Sequence, residues 1–429
     1  RVSHIALQKG ALPDDDADET LVVYRYDDEG RLAEVYDGRG RLQRQFGYTG
    51  AVMTRHRNAA GLTAYYEYDR YAADGKVVRS YTDAGEEWRF AYADGHSQIT
   101  DALGEHLYFD HNGEVVKKVF ADGSSILTER DALGRPVKMT DEMGRETRYR
   151  YNEQGLLSFI GGEGGQNQHI RYNQNRQPVE IIRPHGQKTL LEYDGNGLLL
   201  KQSDGKGHST AYRYNAYGQP VQITDAKNNG YFFEYDANHR LSASTDCSGK
   251  QTRYAYDDKG RTGSITDAAG GVTAYRYNED GQLYSTVYPD GSAEFYRYDE
   301  AGRLHSHTDA DGNQTAYAYN LDNQPVERTN ALGDTFRYRY DAARRLSELV
   351  NENGDVYRFR YDERDRLISE TGFDGKTTGY TYNPAGDLVQ EKRYGVHSAT
   401  LLQTTVYHRD RSGRITQKDS HWAENSRSE

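Results

Sequence analysis

The sequence predicts an all-β protein: a continuous antiparallel strip of β-hairpins, about 21 residues each, coiling into a spiral shell or part of one. Three observations carry this prediction. A tyrosine followed by Asp or Asn returns every 21 residues without a slip, at Tyr151, Tyr172, Tyr193, Tyr214, Tyr235, Tyr256, Tyr277, Tyr298, Tyr319, Tyr340, Tyr361 and Tyr382. The residues leading into each anchor alternate with period two and are rich in strand formers. Each period also holds two turn signals that open on Asp or Asn and close on Gly. A fixed period of this length marks a repeat architecture.

One unit shows the logic. In Thr252-Arg253-Tyr254-Ala255-Tyr256, the Thr and Tyr residues share one face and Arg253 and Ala255 the other, as in a β-strand. Asp257 to Gly260 is the first turn and Asp267 to Gly270 the second. Asp caps nearby backbone amides, and Gly takes the positive φ that ends such a turn. The second-turn glycines, among them Gly249, Gly270, Gly291, Gly312, Gly333, Gly354 and Gly375, are the firmer set; Asn228 is the exception, and Asn also tolerates positive φ. First-turn glycine is replaced by Arg176, His239, Asn323, Arg344 and Asp365. Pro136, Pro178, Pro220 and Pro325 fall where other units have Leu, at the start of the second strand, where a missing amide costs the ladder little.

Two strands and two turns make one hairpin. At about 4.8 Å per strand, each unit advances the strip by about 10 Å, so some seventeen units would extend on the order of 170 Å if flat. Sheet twist makes a curled or spiral strip the expectation instead.

Composition agrees with a thin wall. The hydrophobic share is 35% and the mean hydropathy −0.99, too polar for a thick core. Disorder would give similar values, but 38 tyrosines against 11 phenylalanines, held in register, suit a single layer wetted on at least one face. The formal charge of −12 disfavours nucleic acid as a partner. Cys247 is the only cysteine, so neither an intrachain disulfide nor a cysteine metal site is available. No apolar run reaches membrane-spanning length and no signal peptide is recognised. The chain opens on Arg1 and reads as a piece of something longer.

Along the chain, residues 1–20 read as an acidic linker or degenerate start, with Asp14-Asp15-Asp16 a solvated loop rather than a cation site. Residues 21–128 are degenerate repeats, residues 129–393 regular ones, and residues 394–429 a loop over 394–404, one degenerate repeat at Arg409-Asp410 and a polar tail from Trp422. Gly161-Gly162-Glu163-Gly164-Gly165 lacks the Lys-Ser/Thr and helix of a phosphate loop and reads as a flexible hairpin loop.

No catalytic constellation stands out, and no cofactor or metal is expected. His305 and His307 sit two apart on a strand, but without a third ligand they read as exposed strand histidines. The aspartates occupy turn-cap positions, which argues against acid–base pairs. Arg150, Arg171, Arg213, Arg276, Arg297, Arg339 and Arg360 form a row on the face opposite the anchors. Cross-strand pairing with acids such as Glu192 and Glu234 is one reading; a lining for an acidic or partly unfolded client is the other.

The unit Glu294-Phe295-Tyr296-Arg297-Tyr298-Asp299-Glu300-Ala301-Gly302-Arg303-Leu304 resembles the YD repeat of Rhs proteins, and the likeness runs over about residues 21–415. The resemblance implies a non-catalytic β-shell that encloses a C-terminal toxin domain, made in a bacterial cytoplasm and exported, commonly by type VI secretion. It implies the toxin domain as partner, with a secretion spike or chaperone as a further one. Teneurins share the repeat but carry cysteine-rich modules, so a single cysteine points to a bacterial relative. The family's Asp-Pro-x-Gly plug motif and a toxin domain are absent from this sequence, so neither autoproteolysis nor toxicity falls to any residue here. A surface adhesion module for glycans or a partner protein is the alternative function.

Overall fold

The computed structural model describes residues 2–7, 19–93, 96–101, 104–110, 112–162, 165, 167–396 and 400–423. Among these, 39 strands form one sheet. Each strand pairs antiparallel with the next in sequence. Among the described residues, the only helical element is a single 3-10 turn at Pro184–Gly186, and no helix is long and apolar enough to cross a membrane.

The repeat folds as its pattern dictates. Gln251–Tyr256 is the first strand of its unit and Thr262–Thr266 the second. In the first turn, the Asp257 amide donates to the Arg261 carbonyl and the Gly260 amide to the Asp257 carbonyl, both at 2.9 Å. Asp257 Oδ1 accepts the amides of Lys259 (3.0 Å) and Arg261 (2.8 Å). The second turn repeats the scheme on Asp267. Both are three-residue hairpin loops closed by a residue in the left-handed region. That region is occupied by Gly260 and Gly270 here, and equally by Arg176, Asn228, His239, Asn323, Arg344 and Asp365, all with φ between 59° and 68°. Gly270 sits at φ 90° with open space where a Cβ would go, so backbone strain alone sets its tolerance. Gly270→Val is expected to cost about 1–2 kcal/mol and Gly270→Asn clearly less, a difference that hydrogen exchange of the two flanking strands will report.

One regular feature goes beyond the two-strand pattern. Ala255 opposes Ser264, yet Tyr256 opposes Thr262, which leaves Gly263 unpaired in a bulge. The same slip precedes Tyr151, Tyr298 and Tyr340. A bulge bends its strand and increases local twist; one per unit, always at the same edge, makes the strip coil.

The sheet has no packed core. Among the described residues, Val52 and Ala243 are the only buried apolar residues, and no large side chain is fully buried. Strand Gln251–Tyr256 shows the pattern: Arg253 and Ala255 exposed, Thr252, Tyr254 and Tyr256 half-buried. One layer of sheet with an aromatic face and a charged face accounts for the low hydrophobic content.

Four segments differ from or refine the expectation. Residues 394–404 are largely strand, in Leu388–Val396 and Leu401–Arg409, two nine-residue strands paired by long ladders; only 397–399 lie outside the described residues. The degenerate unit at Arg409-Asp410 continues into a strand at Ile415–Trp422, which takes in the first residue of the expected polar tail. At the start, His4–Leu7 pairs with Glu19–Tyr26, while the acidic run at 14–16 lies outside the described residues. Gly161 and Gly162 end the strand Leu157–Gly162 instead of forming a loop; the Phe159 ring lies where a Cβ on Gly161 would go, while Glu163 and Gly164 lie outside the described residues.

Candidate functional site

The features with functional reach are the ties between units, the seam between coils and the charged face. Each of the twelve anchors ends its strand, from Tyr151 in Glu146–Tyr151 to Tyr382 in Lys376–Tyr382. At that end the backbone ladder to the preceding strand has already stopped: Lys138 opposite Arg148 is the last pair before Tyr151. The phenol bridges the gap. Tyr151 Oη donates to the Pro136 carbonyl (2.9 Å), Tyr256 to Leu241 (2.8 Å) and Tyr382 to Leu367 (2.8 Å). Tyr172, Tyr214, Tyr235, Tyr277, Tyr298, Tyr319, Tyr340 and Tyr361 do the same, always to the residue 15 earlier. Tyr193 ends Lys188–Tyr193 in the equivalent position. Burial pushes the phenols of Tyr172, Tyr193 and Tyr235 above the ordinary tyrosine value, so they stay protonated.

Arginine can stand in for the anchor. Arg130, one period before Tyr151, sends Nη2 to the Val115 carbonyl (3.2 Å), and Arg409 sends Nη2 to Leu388 (3.1 Å). The degenerate unit at Arg409-Asp410 keeps the tie with a different donor.

A second tie runs from turn to turn. In most first turns that open on Asp, an Arg four residues on holds it: Arg261 Nε bonds Asp257 Oδ2 (2.7 Å), and its guanidinium lies 4.5 Å over the Tyr277 ring of the next unit. Arg303, Arg345 and Arg366 also donate to the Asn320, Asp362 and Asn383 carbonyls in the next first turn. Where the turn opens on Asn173, Asn215, Asn278 or Asn320, the partner is Gln177, Gln219, Gln282 or Gln324. Those glutamines likewise donate to a carbonyl in the next first turn. In these units Asp goes with Arg and Asn with Gln, so the charge of the pair is matched; Asn152 with Leu156, Asp194 with Leu198 and Asn383 with Asp387 stand outside the pattern. Burial pushes the Asp257 carboxyl up, but its bonds from Arg261 outweigh this and hold it below the ordinary value. Asp257→Asn alone is expected to loosen the 256–278 hairpins, and Asp257→Asn with Arg261→Gln to restore most of the loss; a double-mutant cycle read by local hydrogen exchange checks this.

The seam joins residues about 240 apart. Arg39 and Arg41, in a second turn, pair with Asp280, in a first turn. Arg344 reaches Glu86 (3.4 Å). The tightest clasp is Arg364: it bonds Glu142 (2.6 Å) and Ser124 Oγ (3.1 Å), reaches Asp122 (3.4 Å) and lies 3.7 Å over the Phe120 ring. The Arg364 and Glu142 side chains are only 7% and 8% exposed. The second-turn edge of one coil thus seats on the first-turn edge of the next. At about 10 Å per repeat, some eleven repeats per coil give a circumference of about 110 Å and a diameter of about 35 Å. Facing sheets pack at about 10 Å, so opposite walls stand too far apart to fill the coil, in accord with the absence of a core.

The candidate histidines do not come together. His307 lies opposite Tyr296, stacks on it and bonds Glu294 (3.0 Å); His305 occupies the bulge and is exposed. Burial and the bond to Glu294 push the Tyr296 phenol up to about 12, and Tyr357 beside Glu370 is likewise pushed up to about 12. These are protonated donors to carboxylates that hold neighbouring strands together. No group of three or more metal-ligating side chains occurs among the described residues.

The arginine row divides in two. Arg171 faces Glu180 and Arg339 faces Glu348, and both form ion pairs, at 3.0 and 2.8 Å. Arg150 lies over Phe159. Arg213, Arg276, Arg297 and Arg360 face Gln222, Ser285, Ser306 and Ser369 instead. The acids named from sequence pair elsewhere: Glu192 with Lys201 and Glu234 with Gln251.

Comparison with known proteins places this architecture. Residues 198–335 match the Teneurin YD-shell family, and residues 130–160, 319–356, 345–377 and 361–395 match the RHS Repeat. Toxin protein Tse5 of Pseudomonas aeruginosa is 34% identical over 142 residues, 32% of this chain and 11% of the relative. Double-stranded DNA deaminase toxin A of Burkholderia cenocepacia is 38% identical over 100 residues, 22% of this chain and 7% of the relative. The chain thus aligns with a small part of each of these curated relatives. The crystal structure of TcdB2-TccC3 without its hypervariable C-terminal region superposes with a TM-score of 0.75 at 14% identity, covering 94% of this chain and 27% of that one. A Photorhabdus luminescens Tc holotoxin pore gives 0.73 at 14% identity, covering 94% and 26%. With its 21-residue Tyr-Asp hairpins, its single coiled sheet and these likenesses, the chain belongs to the Rhs/YD-repeat proteins.

Proposed function

We propose that this chain is a non-catalytic length of wall in a hollow shell that encloses a toxin domain of the same gene product until delivery. The observation that carries the proposal is geometric: one layer of sheet winds back on itself every 240 residues or so and closes the gap with Arg364, Arg39 and Arg41. A closed, one-layer coil wider than two packed sheets is a container. Its walls need no reactive group, because a barrier of paired strands excludes proteases and solvent-borne partners by itself. The relatives named as toxins support the toxin as cargo, and export from a bacterial cell follows from the same reading. Limited proteolysis of the full gene product tests it. The segment following the wall is expected to resist cleavage in the intact protein and to lose that resistance when Arg364→Ala opens the seam. Cleavage of that segment at the same rate whether joined to the wall or free in solution would contradict enclosure.

A further inference from the structure

The charged face offers a binding surface that enclosure alone does not require. Every strand puts residues one and three before the anchor on this face, and they are answered across the ladder by residues eight and ten after it. In the stretch around Tyr277 and Tyr298 those answering residues are small and uncharged: Ser264, Ser285 and Ser306, of which Ser285 and Ser306 are 2% and 4% exposed. Arg276 and Arg297 are exposed above this serine row. Among the described residues, no carboxylate lies within 4.0 Å of Arg213, Arg276, Arg297 or Arg360, whereas Arg171 and Arg339 are neutralised by the glutamate directly opposite. The difference is built into the repeat: the residue eight after the anchor decides whether each arginine is spent within the sheet or left free. Phe295, 48% exposed, stands in line with Arg276 across Ser285 and two residues before Arg297 on the same strand face, and adds an apolar contact.

We propose that this face binds an acidic polypeptide in extended conformation, laid across the strands along the free arginines. Arg276 and Arg297 occupy the same position in successive hairpins, but the register sets Phe295 in line with Arg276, so the two arginines stand two strands and two residues apart, about 12 Å. An extended polyproline-II chain rises about 3.1 Å per residue with three residues per turn, so carboxylates at every third residue fall about 9 Å apart on one side, a spacing that the long arginine side chains can bridge. The partner is a peptide rather than a nucleic acid because the surface is one row of cations on a chain of formal charge −12, with Glu192 and Glu234 interrupting the same row. A polyphosphate backbone needs a broader basic surface.

The test is fluorescence anisotropy on the intact chain with a labelled 15-residue peptide carrying Glu at every third position. Arg276→Glu with Arg297→Glu is expected to weaken binding at least tenfold, and rising salt to weaken it further. Lys227→Glu with Lys250→Glu, the same charge change on the second-turn edge, is expected to leave affinity within about twofold. Arg276→Gln with Arg297→Gln, expected to lose a smaller share, covers the case in which the reversal fails to fold. No binding by the unaltered chain at low salt would overturn the proposal. So would equal weakening in the turn-edge variant, equal binding of a peptide with Lys at those positions, or preferential binding of single-stranded DNA.

Discussion

Arg364→Ala unfastens the seam. The side chain is 7% exposed and serves Glu142, Asp122, Ser124 and the Phe120 ring at once. Its removal leaves the Glu142 carboxylate, 8% exposed, without its ion-pair partner. Breaking one side of such a pair costs about 3–5 kcal/mol. Because a repeat array does not unfold as a single two-state unit, the loss should be local. Hydrogen exchange should accelerate by roughly a hundredfold or more at 120–124, 141–145 and 362–366, and stay unchanged near Tyr214. Glu142→Gln should do less, since its amide still accepts from Arg364. Acid should act in the same direction. Burial pushes the Asp122 carboxyl up, but the bonds from Ser124 and the Arg364 charge outweigh it and hold it below the ordinary carboxylate value. A depressed carboxylate contributes stability above the unfolded value and loses it as pH falls through the folded one. The seam should therefore hold at neutral pH and weaken below about pH 4.

Tyr256→Ala should open the wall between two units. The anchor supplies a ring half-buried under the Arg240 guanidinium, 4.5 Å from its centroid, and a hydroxyl on the Leu241 carbonyl. Tyr256→Phe removes only the hydroxyl and should cost about 1 kcal/mol. Tyr256→Ala also removes the ring and should cost about 2–3 kcal/mol. Chemical denaturation followed by exchange at 241–256 separates the two. Equal effects of the two substitutions would place the whole contribution in the hydroxyl; no effect of either would deny the tie between units. Tyr256→Arg, after the example of Arg130 and Arg409, should retain more stability than Tyr256→Ala.

The repeat was legible because its signals are local. A tyrosine that ends a strand, an aspartate that caps a turn and a glycine at positive φ each act within a few residues, so twelve copies repeat the same message. The bulge was not legible from alternation alone, because Gly263 and His305 become extra residues only once the facing strand fixes the register. The match of Asp with Arg and Asn with Gln was present in the sequence, four residues apart at 257/261 and 278/282, but its meaning needed the turn geometry. Residues 394–404 were misread as a loop because the last strands lengthen to nine residues and lose the tyrosine beat. The seam could not be read at all. Arg364 carries no local mark that separates it from other turn arginines, and its partners across the seam lie 222 to 244 residues away at an offset set by accumulated twist.

The return of the sheet onto itself is best tested by one distance. Spin labels on Met143→Cys and Glu363→Cys, both exposed and in a Cys247→Ser background, probe the chain neighbours of Glu142 and Arg364, which the seam brings to 2.6 Å. The coiled wall predicts a short, narrow distance distribution between them that broadens in Arg364→Ala. A strip that ran on without coiling would separate the labels by about 100 Å along its length, and a long or featureless distribution in the unaltered seam would contradict the coil.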